Sequence, residues 1–177
     1  MKKYFLAILL LALVVMASGC VTDTTKQNNT KNYSANGISF QYPGNWSLQS
    51  ASEANVTTIQ ISDPDYNKTN ATKGSFVAIV VGPQTTAADL ATFRDSFTSE
   101  AKTSGINSTT STVNIAGISA NSTTFSGKNN NTEAYLQLID FTKNNKSFII
   151  FMIVGGGANI DTAKPNFDII VKSFKVE

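Results

Sequence analysis

The sequence predicts an α+β domain, one sheet with a helix layer on each side, and three observations carry that expectation. Two segments, Phe76–Val81 and Phe148–Val154, are apolar at every position, which a strand needs only when both of its faces are covered. Two others place apolar side chains three and four residues apart: Leu90, Phe93, Phe97 and Ala101, then Phe167, Ile170, Val171 and Phe174. That is the pattern of a helix with one buried face. Between them, short segments alternate apolar and polar residues and end at glycine, asparagine or proline, as half-buried strands joined by tight turns do. Two helices covering both faces of one sheet give three layers around a common core.

The chain opens MKKYFLAILLLALVVMASGC. Lys2 and Lys3 form a positive region, Tyr4–Ala17 is an unbroken apolar run, and the small residues Ser18 and Gly19 stand directly before Cys20, the chain's one cysteine. This is the order of a secretory signal peptide, and Ala17-Ser18-Gly19-Cys20 resembles a lipobox with alanine where leucine usually stands. Residues 1–20 are therefore expected to be a lipoprotein signal peptide, with Cys20 as the lipidation site. An uncleaved anchor helix is the alternative, since Tyr4–Val21 approaches the roughly 20 apolar residues that span a bilayer. A buried core helix fits less well, because a soluble helix would carry a polar stripe. Both leading readings put the rest of the chain outside the cytoplasm. Lipidation also accounts for one unpaired cysteine in a compartment where disulfides come in even numbers.

Residues 21–35, VTDTTKQNNTKNYSA, are polar, rich in threonine and asparagine, and aperiodic. They read as a disordered tether, whose fifteen residues would span roughly 20 Å. The domain, 36–177, begins at the Asn36-Gly37 turn. Ile38–Tyr42 alternates, Pro43-Gly44 ends it, Trp46–Leu48 starts the next strand and Val56–Ile61 is a third. Asp63–Asn70 reads as a loop before the apolar strand Phe76–Val81. Thr86 and Asp89 have the spacing of a capping box and open the first helix, which Gly105 ends. Strands Thr112–Ile115 and Ile118–Phe125 flank an Ala116-Gly117 turn, and a loop follows over Gly127–Asn131. Tyr135–Phe141 and Ser147–Val154 then form a hairpin around Lys143–Lys146. The second apolar strand, Phe148–Val154, belongs at the centre of the sheet. After Gly155–Gly157 the closing helix has Asp161 near its start and Pro165 in its first turn, where a missing N–H costs nothing.

The opening Gly-Ile-Ser-Phe-Gln-Tyr-Pro-Gly-Asn-Trp, the Ile-Ala-Gly-Ile-Ser-Ala hairpin and a closing helix ending Lys172-Ser173-Phe174 resemble the PsbP-like family. The resemblance covers Asn36–Glu177. It implies an α/β/α sandwich around a central antiparallel sheet with helices on both faces, and an adaptor-like habit without a set of catalytic residues. The family includes photosystem II extrinsic subunits, a nuclear Ran-binding factor and many prokaryotic lipoproteins; the tethered, asparagine-rich form resembles its archaeal lipoprotein branch.

Fourteen lysines and arginines stand against twelve aspartates and glutamates, and loss of Lys2 and Lys3 with a signal peptide would leave a formal balance of zero. A neutral chain lacks the clustered cations that displace phosphate counterions, so nucleic acid is excluded as a partner. The chain has no histidine, which excludes a Ser-His-Asp triad, a Cys-His pair and an imidazole metal site.

Several short patterns fall short of chemistry. Asp63, Asp65 and Asn67 have the opening spacing of a calcium loop, but Lys68 stands where that loop needs glycine and Gly74 where it needs glutamate. A turn built on Pro and Asp explains the same residues, leaving weak metal binding at Asp63 and Asp65 as the sharper alternative. Ser99-Glu100-Ala101-Lys102 and Ser119-Ala120-Asn121 mimic elements of penicillin-interacting enzymes without their Lys-Thr-Gly strand. Gly155–Gly157 lacks the Lys-Ser/Thr of a phosphate loop. Phe40, Tyr42 and Trp46 suit core packing better than a sugar platform. The surface signal is Asn-x-Ser/Thr, at Asn28, Asn32, Asn45, Asn55, Asn67, Asn70, Asn107, Asn121, Asn130 and Asn145, where composition alone yields roughly four. Asn67, Asn70, Asn107 and Asn130, in turn-rich polar segments, are the expected glycosylation sites; Asn45, in an expected buried corner, is the poorest.

The functional expectation follows mainly by subtraction. Without histidine or a free cysteine no side chain titrates near neutrality unperturbed, and no motif marks a buried carboxylate pair. The chain is therefore expected to be non-enzymatic, without cofactor, held at the extracytoplasmic face of the cell membrane by lipid on Cys20 or by an N-terminal helix, and bound to another envelope protein. The competing expectation is a small-ligand, glycan or metal receptor, or an enzyme of unrecognised type, using Tyr42 and Trp46 or Asp63 and Asp65.

Overall fold

The computed structural model describes residues 30–69, 73–103, 106–129, 132–155 and 158–177. The expected signal peptide with Cys20, tether residues 21–29, and the acceptors Asn70 and Asn130 lie outside the described residues. In order, the elements are β1 (Thr30–Ala35), β2 (Ile38–Pro43), β3 (Ser47–Glu53), β4 (Val56–Ser62), α1 (Pro64–Lys68), β5 (Gly74–Pro83), a 3-10 turn (Gln84–Thr86) and α2 (Ala87–Thr103). They continue with β6 (Asn107–Ile115), β7 (Ile118–Asn129), β8 (Thr132–Lys143), β9 (Lys146–Gly155), α3 (Ile160–Ser173) and β10 (Lys175–Val176). This is a mixed α/β fold with antiparallel sheets and few helices, as the sequence predicts.

Among the described residues, four hairpins turn on two residues each with positive φ: Asn36-Gly37, Ala54-Asn55, Ala116-Gly117 and Asn144-Asn145. That backbone matches the right-handed twist of the flanking strands, and it sets the register so that Ile115 faces Ile118 and Lys143 faces Lys146. Among the described residues, seven strands form the large sheet in the order β3-β4-β5-β9-β8-β7-β6. β9 is its fourth strand, so the fully apolar segment does lie at the centre.

The expectation of one sheet is corrected by a second, three-stranded sheet ordered β1-β2-β10, and with it residues 30–35 of the expected tether become strand. The cause is local. Asn36-Gly37 makes a two-residue turn that folds Thr30–Ala35 back along β2, with Ala35 opposite Ile38. Tyr33 secures it by stacking on Phe40, centroids 5.0 Å apart, while its five companions are exposed. At the other end Phe174 leaves α3 in an extended conformation and stacks on Phe40 at 5.8 Å. Val176 then pairs with Ile38, and the Glu177 amide donates to the Gly37 carbonyl at 3.0 Å.

Alternate residues of β9 enter two different clusters, because successive side chains of a strand point to opposite faces. Phe148, Ile150, Met152 and Val154 pack with Ala163, Phe167, Ile170 and Val171 of α3. Ile149 packs instead with Phe125, Leu138 and the α2 residues Phe93, Phe97 and Ala101. The small sheet closes the first cluster through Ile38, Phe40 and Phe174.

Local details depart from the expectations for physical reasons. Thr86 does not cap α2: it ends the 3-10 turn and its hydroxyl donates to the Pro83 carbonyl at 2.7 Å. Asn159 caps α3, accepting from the Asp161 amide at 2.8 Å. That places Pro165 in the second turn rather than the first, exposed, where its missing N–H forgoes a bond to Asp161. The expected loop Asp63–Asn70 contains α1, because Asp63 caps it and Pro64 suits its first position. The expected loop at Gly127–Asn131 is strand at least to Asn129.

Candidate functional site: a polar cleft beneath the first turn of α2

The sheet face under α2 changes character along its length. Beneath the middle of the helix it is apolar, built from Phe125, Leu138 and Ile149. Further along each strand it turns polar. Asn121 of β7 lies opposite Asp140 of β8, which lies opposite Ile149 of β9, and Thr142 lies opposite Ser147. Since side chains repeat on one face every second residue, Ser119, Asn121, Asp140, Thr142 and Ser147 share this face. With Ala87, the first residue of α2, they line a cavity of about 300 Å³ open to solvent.

Asp140 dominates the electrostatics. Its Oδ2 accepts from Arg94 Nη1 at 3.0 Å, while Arg94 is also held by Asp95, Nη2 to Oδ1 at 2.9 Å. Burial by itself would lower the Arg94 pKa, but hydrogen bonds and charge from Asp95 and Asp140 raise it above its ordinary value. The ion pair is mostly buried, with side chains 24% and 19% exposed. Asp140 Oδ1 is buried and has no donor among the described residues, a condition that costs a buried acceptor about 1–3 kcal/mol. Ser147, 1% exposed, turns its hydroxyl to the Pro83 carbonyl at 3.2 Å. It braces the back of the cleft and leaves its front to Asn121, Asp140 and Thr142.

The residues singled out by sequence lie elsewhere. Both carboxylate oxygens of Asp63 are committed, Oδ1 accepting from the Tyr66 amide and Oδ2 from the Ser75 amide, each at 2.7 Å. Asp63 is therefore a helix cap, and Asp65 stands exposed in the first turn of α1. Phe40 and Trp46 are 2% and 3% exposed and belong to the core. Tyr42 is half-buried, edge-on to Phe40 at 6.3 Å, and burial pushes its phenol pKa up, so the aromatic platform is packing. Asn45 is exposed rather than buried, since Trp46 turns inward beside it. Asn107 is exposed at the start of β6. Asn67 is exposed too, but its amide donates to Ser47 Oγ at 2.8 Å and accepts from Ser62 Oγ at 3.0 Å.

The cleft escaped sequence reading because its residues occupy the polar positions of alternating strands. Singly, each looks like a solvent-facing residue; only the register of three strands assembles them. A charged residue between Ile139 and Phe141 was the one available signal, since Asp140 interrupts the most apolar part of β8.

The chain matches the protein family described as PsbP-like protein over residues 16–176. No curated protein matches it in sequence. Among solved structures it is similar to the cyanobacterial PsbP (CyanoP) of Synechocystis, with TM-score 0.51 and 18% identity, covering 91% of this chain and 99% of that one. That likeness is one of fold. It is also similar to a protein of Bacteroides thetaiotaomicron, with TM-score 0.48 and 12% identity, covering 80% of this chain but 45% of the other's length. A third similar structure is LpqN of Mycobacterium tuberculosis, described as involved in cell envelope biogenesis, with TM-score 0.43, 12% identity and coverage of 84% and 90%.

Proposed function

We propose, from the premise that this chain belongs to the PsbP-like protein family, that it is a non-enzymatic module tethered at the extracytoplasmic face of the cell membrane, where it binds another envelope protein. The tether is lipid on Cys20 or an uncleaved N-terminal helix, and the sequons mark a glycoprotein of the archaeal cell-surface type. The fold reading that goes with this proposal is an α/β/α sandwich with α2 and α3 as its outer layers, supported by the division of β9 between two clusters.

One observation carries the binding claim. α2 packs over Phe125, Leu138 and Ile149, with Leu136 at its margin, whereas Phe76 of β5 and its cross-strand partner Ile153 of β9 lie outside that cluster. Both side chains are half-buried. Phe151 joins them, edge-on to Phe76 at 6.0 Å, and Tyr66 closes the far end at 4.9 Å from Phe76. A contiguous apolar strip bordered on its β4 side by Gln60 and Ser62 is the usual mark of a protein contact, and it fits a partner that contributes apolar side chains of its own. In native membranes the wild-type chain is expected to co-purify with one envelope protein, and Ile153→Asp to lose it while remaining folded. Retention of the same partner by Ile153→Asp would remove the strip from the proposal. Intact mass tests the tether: loss of Met1–Gly19 plus added lipid supports lipidation of Cys20, and a retained Met1 supports the anchor helix.

A further inference from the structure

We propose that the sequons of the outermost strands, Asn32 on β1 and Asn107 on β6, carry glycans that keep these two open sheet edges from pairing with a second copy of the chain. This rests on the glycoprotein reading and deepens it, by assigning which sequons are used and what the sugar does there. Three observations lead to it. The first is accessibility. A transferase acting on the folded domain must reach both the asparagine and the hydroxyl two residues on, because both define the motif. Asn32 with Ser34, and Asn107 with Thr109, are exposed at both positions. Elsewhere among the described residues one member of the motif is taken. Thr57, Thr123 and Ser147, the hydroxyls of the Asn55, Asn121 and Asn145 sequons, are buried. The Asn45 and Asn67 sequons occupy each other, since the Asn67 amide donates to Ser47 Oγ at 2.8 Å.

The second is placement. Among the described residues β1 ends the small sheet and β6 the large one, so each turns a row of backbone N–H and C=O groups outward. The other two edges are blunted in ordinary ways, β10 by a length of two residues that begins at Lys175, β3 by the exposed Glu53. β6 has no such device. Its nine residues, NSTTSTVNI, include no charge and no proline, and each has one partner in β7, so no bulge bends this edge away. β1 is shorter and carries Lys31 alone.

The third is what a bare β6 would accept. An uncharged strand can pair antiparallel with its own copy about a two-fold axis, since no charge meets its like and opposed threonines and serines bond across the pair. A second copy is therefore the occupant that the strand fits. Opposed Cβ atoms in such a pair stand about 4.5–5.5 Å apart, and a bulky, hydrated glycan on Asn107 crowds the incoming strand.

Glycopeptide mapping of the native chain should find Asn32 and Asn107 occupied and Asn121 and Asn145 bare. The full chain carrying Asn107→Gln, made in its native host and held in detergent micelles, should shift from one copy per particle to two in sedimentation equilibrium. Adding Thr110→Lys at the exposed centre of β6 should return it to one, because an edge lysine opposes pairing, while Asn121→Gln should sediment as wild type. Sugar on Asn121 or Asn145 with Asn32 and Asn107 bare overturns the assignment and leaves the glycoprotein reading standing, whereas a chain without sugar at any sequon ends both. An Asn107→Gln chain that stays single, or a dimer that Thr110→Lys does not separate, overturns the edge role.

Discussion

A glycan on Asn67 would have to be built on an amide already committed to two serines. Ser47 and Ser62 lie 3.0 Å apart, Oγ to Oγ, and both bond the Asn67 side chain, so the three groups close a ring tying β3 and β4 to α1. Removing one of those bonds costs roughly 0.5–1.5 kcal/mol. Asn107 opens an edge strand and is exposed. Glycopeptide mapping of native material should therefore find Asn107 occupied well above Asn67. Equal occupancy would mean that the serine ring does not protect Asn67.

At the scale of elements, β9 separates two kinds of apolar residue that look alike in sequence. Ile150 is fully buried in the α3 cluster, whereas Phe151 faces the margin of α2 and is only half-buried. Ile150→Ala should cost about 2–5 kcal/mol, the range for emptying a packed site. Phe151→Ala should cost clearly less, since part of its ring already meets solvent. Chemical denaturation of both variants checks the ordering; a larger loss at Phe151 would place the uncovered strip in the core. Runs such as Phe148–Val154 announce a central strand because seven apolar residues bounded by turn signals suit a strand covered on both faces. β1 announces nothing, since only Tyr33 of its six residues is packed and polarity there reads as tether. The Asn36-Gly37 pair was the physical clue, for a two-residue turn of that type requires a strand on both sides. The cleft was illegible for a different reason: it depends on register, which no single strand encodes.

At the scale of the whole molecule, the titrating groups set the pH range of stability. Burial raises the phenol pKa of Tyr42, Tyr66 and Tyr135; at Tyr135 a hydrogen bond with Thr124 opposes the rise and the charge of Asp168 adds to it. The native state thus holds these protons longer than the unfolded chain does. Their contribution is complete below the unfolded value near 10 and is lost as pH rises through the folded values. The chain has no histidine, so the denaturation midpoint should stay level between about pH 6 and 9 and fall above about pH 10. A step near pH 6.5 would contradict this assignment. The docking role is tested most directly by a photo-activatable cross-linker placed at Ile153 in native membranes, with the same group at the exposed Thr112 of β6 as reference. One dominant envelope-protein adduct is expected from position 153 and none of it from position 112; equal labelling from both positions, or no protein adduct at 153, would rule the docking role out.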